Sequence, residues 1–460
     1  MLAYVKEDLF VFAAFLVTLV SVAATPRPVV FLSPDDLMEA QGVSVEAQLP
    51  QAGLALEAKD PQRPKLWYAP VAAEATARGA RIWYQRVNSA EAEFSDQRVL
   101  CLGEIRNGAW NPRTLDPKPP AWGGVNNVCM RRSPYKPTWG GFNVFQIIRN
   151  GHEYRMLYWD QPNETGQAGA MLAASKDGTR WQSDPGTVFT EHNDAFTLLS
   201  CNGEYLVYQT ALEDWPDKPY ADNLDKKRRV ISIRRSKDLR IWTPQEILLR
   251  PDAQDKPDTE FYLMKAFRHG DGFAGLLMKY YADPKLPGRH SAILQNELIV
   301  SKDAVHWERP FRGTDTGFWS YADPFLVQGR LHFAIWKDGG MCTVTYSPNR
   351  LTGVCAGSET GSFMTRPFHY ARPPHDRGPA GGSVSLDADA RNGWIETELL
   401  DVSGRPVQGV RPQRVENTEG VCIKLKLGGD KPLAGIPSEY RMRFRLRNAR
   451  LFALLSDGSA

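Results

Sequence analysis

The chain has 460 residues, 42% of them hydrophobic and 24% charged, which is the composition of a folded protein with room for two domains and excludes a disordered chain. Its formal net charge of +3, with acids and bases mixed along the length, offers no extended positive field, so nucleic acid is not an expected partner. Aromatic residues reach 11% and include 13 Trp, which suits packed sheet cores or platforms for sugar rings.

In chain order, the first feature is the apolar run Leu9 to Ala24, preceded by Lys6 and followed by Thr25-Pro26-Arg27-Pro28. Small residues at Ala23 and Ala24 fit a cleaved export signal over residues 1–24, giving a secreted or periplasmic protein without a membrane partner after cleavage. Glu7 and Asp8 cancel Lys6, so an uncleaved anchor is the alternative, although about 16 apolar residues fall short of the usual span. The six cysteines fit an exported chain: Cys342 with Cys355, and Cys101 with Cys129, are candidate pairs, and six buried thiols are the alternative. No Cys-x-x-Cys or His-x-x-x-His spacing occurs, so no metal is expected.

A phrase recurs at Ser175-Lys-Asp-Gly-Thr-Arg-Trp181, Ser236-Lys-Asp-Leu-Arg-Ile-Trp242 and Ser301-Lys-Asp-Ala-Val-His-Trp307. Its serines stand 61 and 65 residues apart (175 to 236, 236 to 301), without helical patterning between them, which predicts a propeller of four-stranded blades. The Ser and Asp side chains bond turn amides while the Trp packs into the blade, so these residues are scaffold. Gly turns at Asn150-Gly151, Asn202-Gly203, Gly270-Asp271-Gly272 and Gln328-Gly329, each between apolar runs, mark hairpins and count four blades. A fifth is expected from strands before about residue 115 pairing with the stretch after Cys342.

Near Thr365 to Phe368 the composition turns to Pro and Gly, predicting a boundary between a propeller over 25–368, with an N-terminal extension, and a second unit over 369–460. Beyond it, Ile423 to Leu427 and Met442 to Arg447 alternate with period two, as half-buried strands do. The predicted fold class is all-β: a five-bladed β-propeller followed by a small antiparallel β-sandwich.

The innermost strand of each blade lines the axis, so acids at its entry converge on the channel mouth. Asp194, Glu260 and Asp323 stand at such entries in three successive blades. Glycosidic cleavage needs one protonated and one ionised carboxyl group, and crowding separates their proton affinities. Glu260 is the candidate general acid, with Asp194 or Asp323 as base or nucleophile. The other reading is that these acids cap strand entries or bind Arg and backbone amides. Asp258 and Glu297 are rival acids, Glu297 with a structural role. His192, Tyr262, Lys265, Arg289, His290, Trp319 and Tyr321 fall near the same entries and are candidate carbohydrate-binding residues.

The repeated turns, the Asp258 to Tyr262 segment, Ala322-Asp323-Pro324 and Tyr154 to Tyr158 resemble the five-bladed propeller glycoside hydrolases of families 43 and 32. With Gly393 to Gly409 and Arg441 to Leu455, the chain resembles a group of bacterial exported proteins that carry this propeller and a C-terminal sandwich. The resemblance implies a retaining or inverting hydrolase with Asp, Asp and Glu in the channel and no obligatory cofactor. In family 43 the Ala-Asp-Pro phrase belongs to an early blade, whereas here it stands in a late one. The expected function is therefore glycoside hydrolysis of a poly- or oligosaccharide. A glycan-binding propeller without turnover is the alternative, and a sialidase a more remote one, since no arginine triad accompanies the turns.

Overall fold

The computed structural model describes residues 27–456 except 192, 221, 223, 282–292, 370–383 and 426–438. The apolar segment at residues 9–24 lies outside the described residues, so the expected export signal does too.

Five antiparallel sheets form the blades of a propeller. Blade I runs through Leu66–Thr76, Gly79–Asn88, Arg98–Arg106 and Ala109–Pro112, with Val128–Arg131 added to its third strand. Blades II, III and IV span Asn143–Ser183, Glu246–Leu249 back to Phe196, and Glu260–Glu308, each four strands in chain order. Blade V combines Phe325–Val327, Arg330–Lys337 and Gly340–Tyr346 with an outer strand, Gln51–Ala55, taken from the N-terminal side. That strand closes the ring, Ala55 standing opposite Cys342. The closure therefore differs in one respect from expectation: blade I is complete from its own residues, and the composite blade is V.

The blades hold together by apolar layers between neighbours. Trp83, Leu100 and Leu102 of blade I meet Val144, Met156 and Tyr158 of blade II. Ile82, Tyr84 and Val99 of blade I meet Phe325, Val327 and Met341 of blade V, which completes the circle. The hairpin turns follow the expected chemistry. Asn202-Gly203 and Gln328-Gly329 each form two-residue loops with both residues at positive φ, the geometry that matches strand twist.

The three repeated turns are scaffold. In each the Ser hydroxyl accepts the amide three residues on (Gly178, Leu239, Ala304), all at 2.9 Å, and the Asp carboxylate accepts the next amides. The fourth position is left-handed in every copy, occupied once by Gly178 and otherwise by the buried Leu239 and Ala304. The turn also ties blades together: Trp83 of blade I donates to the Gly178 carbonyl at 2.7 Å, and Tyr208 of blade III to the Ala304 carbonyl at 2.7 Å.

Two six-stranded sheets form the sandwich, with Val354, Leu386, Leu451 and Leu454 of one facing Phe363, Ile395, Met442 and Phe444 of the other. Strands Val29–Val30, Leu37–Gln41, Ser44–Ala47, Thr352–Ala356 and Gly361–Thr365 belong to these sheets although all precede residue 368. The other face of strand Ala449–Ser456 packs Ala453 and Leu455 against Phe267 and Leu276 of blade IV and Phe333 and Ile335 of blade V. Burial on both faces explains the continuous apolar run Leu451 to Leu455. All six cysteines are free thiols, so neither candidate disulfide forms.

Candidate active site at the channel mouth

The innermost strands neighbour one another around the axis, blade I beside blades II and V, II beside III, and III beside IV. Asp323 stands immediately before the inner strand of blade V. Gln146, from the inner strand of blade II, donates to its Oδ2 at 2.8 Å, and Lys265, from that of blade IV, lies 2.7 Å from its Oδ1. Lys265 and Gln146 are almost wholly buried, while the Asp323 side chain keeps 43% of its surface exposed. Three blades thus converge on one side chain that is partly open to solvent, with its Oδ1 inaccessible beside Lys265.

Asp194 precedes the inner strand of blade III. Its Oδ2 accepts Asn143 Nδ2 at 2.8 Å and the Gly141 amide at 3.3 Å, both from blade II and its entry loop. The loop passes so close that a Cβ on Gly140, itself at φ +68°, would lie 2.5 Å from the Asp194 carboxylate. Trp139, the next residue back, is 47% exposed, with its carbonyl fixed by Trp159 Nε1 at 2.9 Å.

Glu260 is placed differently. The expectation that it opens onto the mouth as a proton donor is corrected by its burial: the carboxylate has no exposed surface. Its Oε2 accepts the Arg229 amide at 2.7 Å and the Arg229 guanidinium at 2.9 Å, while Oε1 faces Lys218 Nζ at 3.1 Å and the Tyr220 hydroxyl. Asp222 completes the cluster, 3.0 Å from Lys218 and 2.8 Å from Arg229. Two cations and two carboxylates are balanced in a dry interior, the condition under which buried charges persist. Burial raises Asp222, but hydrogen bonds from Arg229, the Leu224 amide and Lys218 outweigh it and hold the carboxyl below its usual range. Burial and then the Glu260 carboxylate push the Tyr220 phenol far up.

Tyr262, Trp319 and Tyr321 are partly buried and gather over Ala195, Leu263 and Met278. Trp319 and Tyr321 meet edge to face with ring centroids 5.5 Å apart. Burial, the Tyr262 phenol and the Asp194 carboxylate push the Tyr321 hydroxyl upward. The Arg229 guanidinium lies 5.6 Å from the Tyr262 ring centroid and 4.4 Å from that of Tyr280.

His192, Arg289 and His290 lie outside the described residues. Lys265 lies at the axis as a buried partner of Asp323. Of the rival acids, Glu297 is buried against Arg309 at 2.8 Å and Lys279 at 3.1 Å, a structural role, while the Asp258 carbonyl faces the Tyr220 hydroxyl at 3.5 Å. Sequence reasoning missed Gln146, Asn143 and Trp139, and the cluster of Lys218, Asp222 and Arg229. Gln146 carried a usable signal, being a polar residue within the apolar run Val144 to Ile148.

No family model matches the chain, and no curated protein does. Among solved structures the likeness is distant and falls on propeller glycoside hydrolases. One, titled simply as a glycoside hydrolase, is 14% identical with a TM-score of 0.42, covering 65% of this chain and 91% of that one. A putative glycoside hydrolase from Parabacteroides distasonis is 13% identical, TM-score 0.40, covering 67% and 97%. The Bombyx mori family 32 β-fructofuranosidase is 11% identical, TM-score 0.39, covering 88% and 93%. TM-scores near 0.4 leave the functional reading to the site itself.

Proposed function

We propose that the protein acts on carbohydrate at the mouth of its propeller, with Asp323 as the central acceptor for sugar hydroxyls. The observation that carries this reading is the convergence of blades II, IV and V on the half-exposed side chain of Asp323, through Gln146 and Lys265. A rim of Tyr262, Trp319 and Tyr321 adds apolar ring faces beside polar atoms, the mixture that sugar rings require. Glycan binding without turnover fits the geometry best, because each of the three carboxylates already accepts from donors: Asp323 from Gln146, Asp194 from Asn143, and Glu260 from Arg229.

Hydrolysis is the second reading. It is favoured by two carboxylates at inner-strand entries of the same ring, Asp194 in blade III and Asp323 in blade V, the latter two residues along the chain from Tyr321. In that reading Asp194 and Asp323 share the acid and base or nucleophile roles, and Glu260 is a positioning residue acting through Arg229 and Tyr262.

A polysaccharide panel separates the two. Retention of a glycan without release of reducing ends, abolished by Asp323→Asn, supports binding alone. Release of reducing ends that is lost in both Asp194→Asn and Asp323→Asn supports hydrolysis. Retention or turnover unaffected by either variant overturns the assignment of the site.

A further inference from the structure

A second polar hollow lies at the seam between blade V and the sandwich. Its cavity of about 190 Å³ is lined on the propeller side by Arg330, Thr345 and Ser347, and on the sandwich side by Arg350, Arg391 and Arg450. Gln48, Leu49 and Gln51, in the link between strands Ser44–Ala47 and Gln51–Ala55, form the third wall. Arg330 follows the Gln328-Gly329 turn of blade V, so the hollow opens at the opposite end of the short Phe325–Val327 strand from Asp323. The cavity exists only because the two units dock.

Its charge is unbalanced. The lining includes four arginines against two carboxylates, Asp389 and Glu419. Those carboxylates are already shared: Glu419 lies 2.7 Å from Arg350 and 3.2 Å from Arg391, and Asp389 lies 2.7 Å from Arg391. Arg350 is locked further by Asp387 at 2.7 Å and by stacking 4.5 Å above the Phe452 ring. Among the described residues, Arg330 and Arg450 form no ion pair. Arg330 is held by three neutral acceptors, Gln51 at 2.8 Å, Thr345 at 3.0 Å and Ser347 at 3.3 Å. Of its five N–H donors, two are left for a ligand by these three bonds.

We infer that this seam hollow is a second ligand site, which takes the oxyanion of an acidic saccharide on Arg330. A guanidinium fixed in orientation by neutral partners, with its charge unmet and Nε–H and one Nη1–H spare, suits an oxygen of a carboxylate or phosphate. The rim favours a saccharide over a free ion, because Leu49 is 70% exposed beside this polar lining and offers an apolar contact to a sugar face. The saccharide part of the assignment rests on the carbohydrate reading of the channel mouth; the anion part does not.

The test titrates digalacturonate, cellobiose and inorganic phosphate into the full chain by calorimetry, with wild type, Arg330→Gln, Arg330→Lys and Asp323→Asn. The expected result is digalacturonate binding that weakens about ten-fold or more in Arg330→Gln, falls less in Arg330→Lys, and persists in Asp323→Asn. Thermal melting confirms that each variant is folded, and Arg450→Gln, at an exposed position of the sandwich-side wall, supplies an independent reduction. Binding equal in wild type and Arg330→Gln overturns the site. Inorganic phosphate binding as tightly as digalacturonate overturns the saccharide assignment. Loss of digalacturonate binding in Asp323→Asn, with no effect of Arg330→Gln, assigns the acid sugar to the channel and also overturns the inference. If the seam binds as expected and no glycan depends on Asp323, the channel reading fails separately.

Discussion

Replacing Glu260 by Gln removes one of two carboxylates that balance Lys218 and Arg229, all four charges being almost entirely inaccessible to water. The remaining Asp222 then faces two cations, 3.0 and 2.8 Å away, and one positive charge is left uncompensated in the interior. Breaking a buried pair by deleting one partner costs about 3 to 5 kcal/mol, so Glu260→Gln is expected to lower the urea unfolding midpoint markedly. Removing Lys218 as well restores neutrality and leaves the Asp222–Arg229 pair intact. Lys218→Met with Glu260→Gln is therefore expected to recover about 2 kcal/mol of the single variant's loss. The assay is urea unfolding followed by tryptophan emission, comparing midpoints among wild type, single and double variants. A single variant as stable as wild type refutes the charge-balance argument. So does a double variant less stable than the single one.

His269, buried at the end of the inner strand of blade IV, is pushed down to about 4 by burial. Its folded value lies below the unfolded value of about 6.5, so the penalty for charging it is absent above pH 6.5, grows as pH falls, and is complete below about 4. Melting temperature should therefore fall between pH 6.5 and 4, and His269→Gln should flatten that part of the profile; an unchanged slope contradicts the assignment. Gly178 sits at φ +78°, and a Cβ there would come 2.6 Å from Trp83 Cζ2. Gly178→Ala should destabilise by about 1 kcal/mol or more, measured by the same urea midpoint, and a neutral result would mean the turn does not press on blade I.

The architecture was legible where local chemistry repeats. The Ser-Lys-Asp turns set the blade period because each copy solves the same amide-satisfaction problem, and they appear in the structure as scaffold. Blade I was harder to see, since its inner hairpin turns through Ala77 and Arg78 without an Asn-Gly or Gln-Gly pair. The composite blade V depends on Gln51–Ala55 meeting Gly340–Tyr346, a pairing separated by nearly 300 residues that no local pattern encodes. The Pro- and Gly-rich stretch after Thr365 drew attention because turn residues cluster there, yet Thr352–Ala356 already pairs within the sandwich.

At the site, sequence position told which acids stand at inner-strand entries but not how deep each one sits. Asp323 and Glu260 occupy similar places in the repeat, and one is half exposed while the other is sealed. The difference lies in the long hairpin of blade III, whose Lys218, Tyr220, Asp222 and Arg229 fold over Glu260 from 31 to 42 residues upstream (260 minus 229, 260 minus 218). Exposure is a property of that distant cover and has no local signature.

The central claim is that Asp323 receives the sugar. The direct measurement is calorimetric titration of a glycan retained by the wild-type protein into Asp323→Asn, with Lys265→Met/Asp323→Asn as the charge-balanced control. A sugar hydroxyl bonded to a carboxylate contributes about 1.5 to 3 kcal/mol, so affinity should fall about ten-fold or more in both variants. Affinity equal to wild type in the charge-balanced variant would contradict the account.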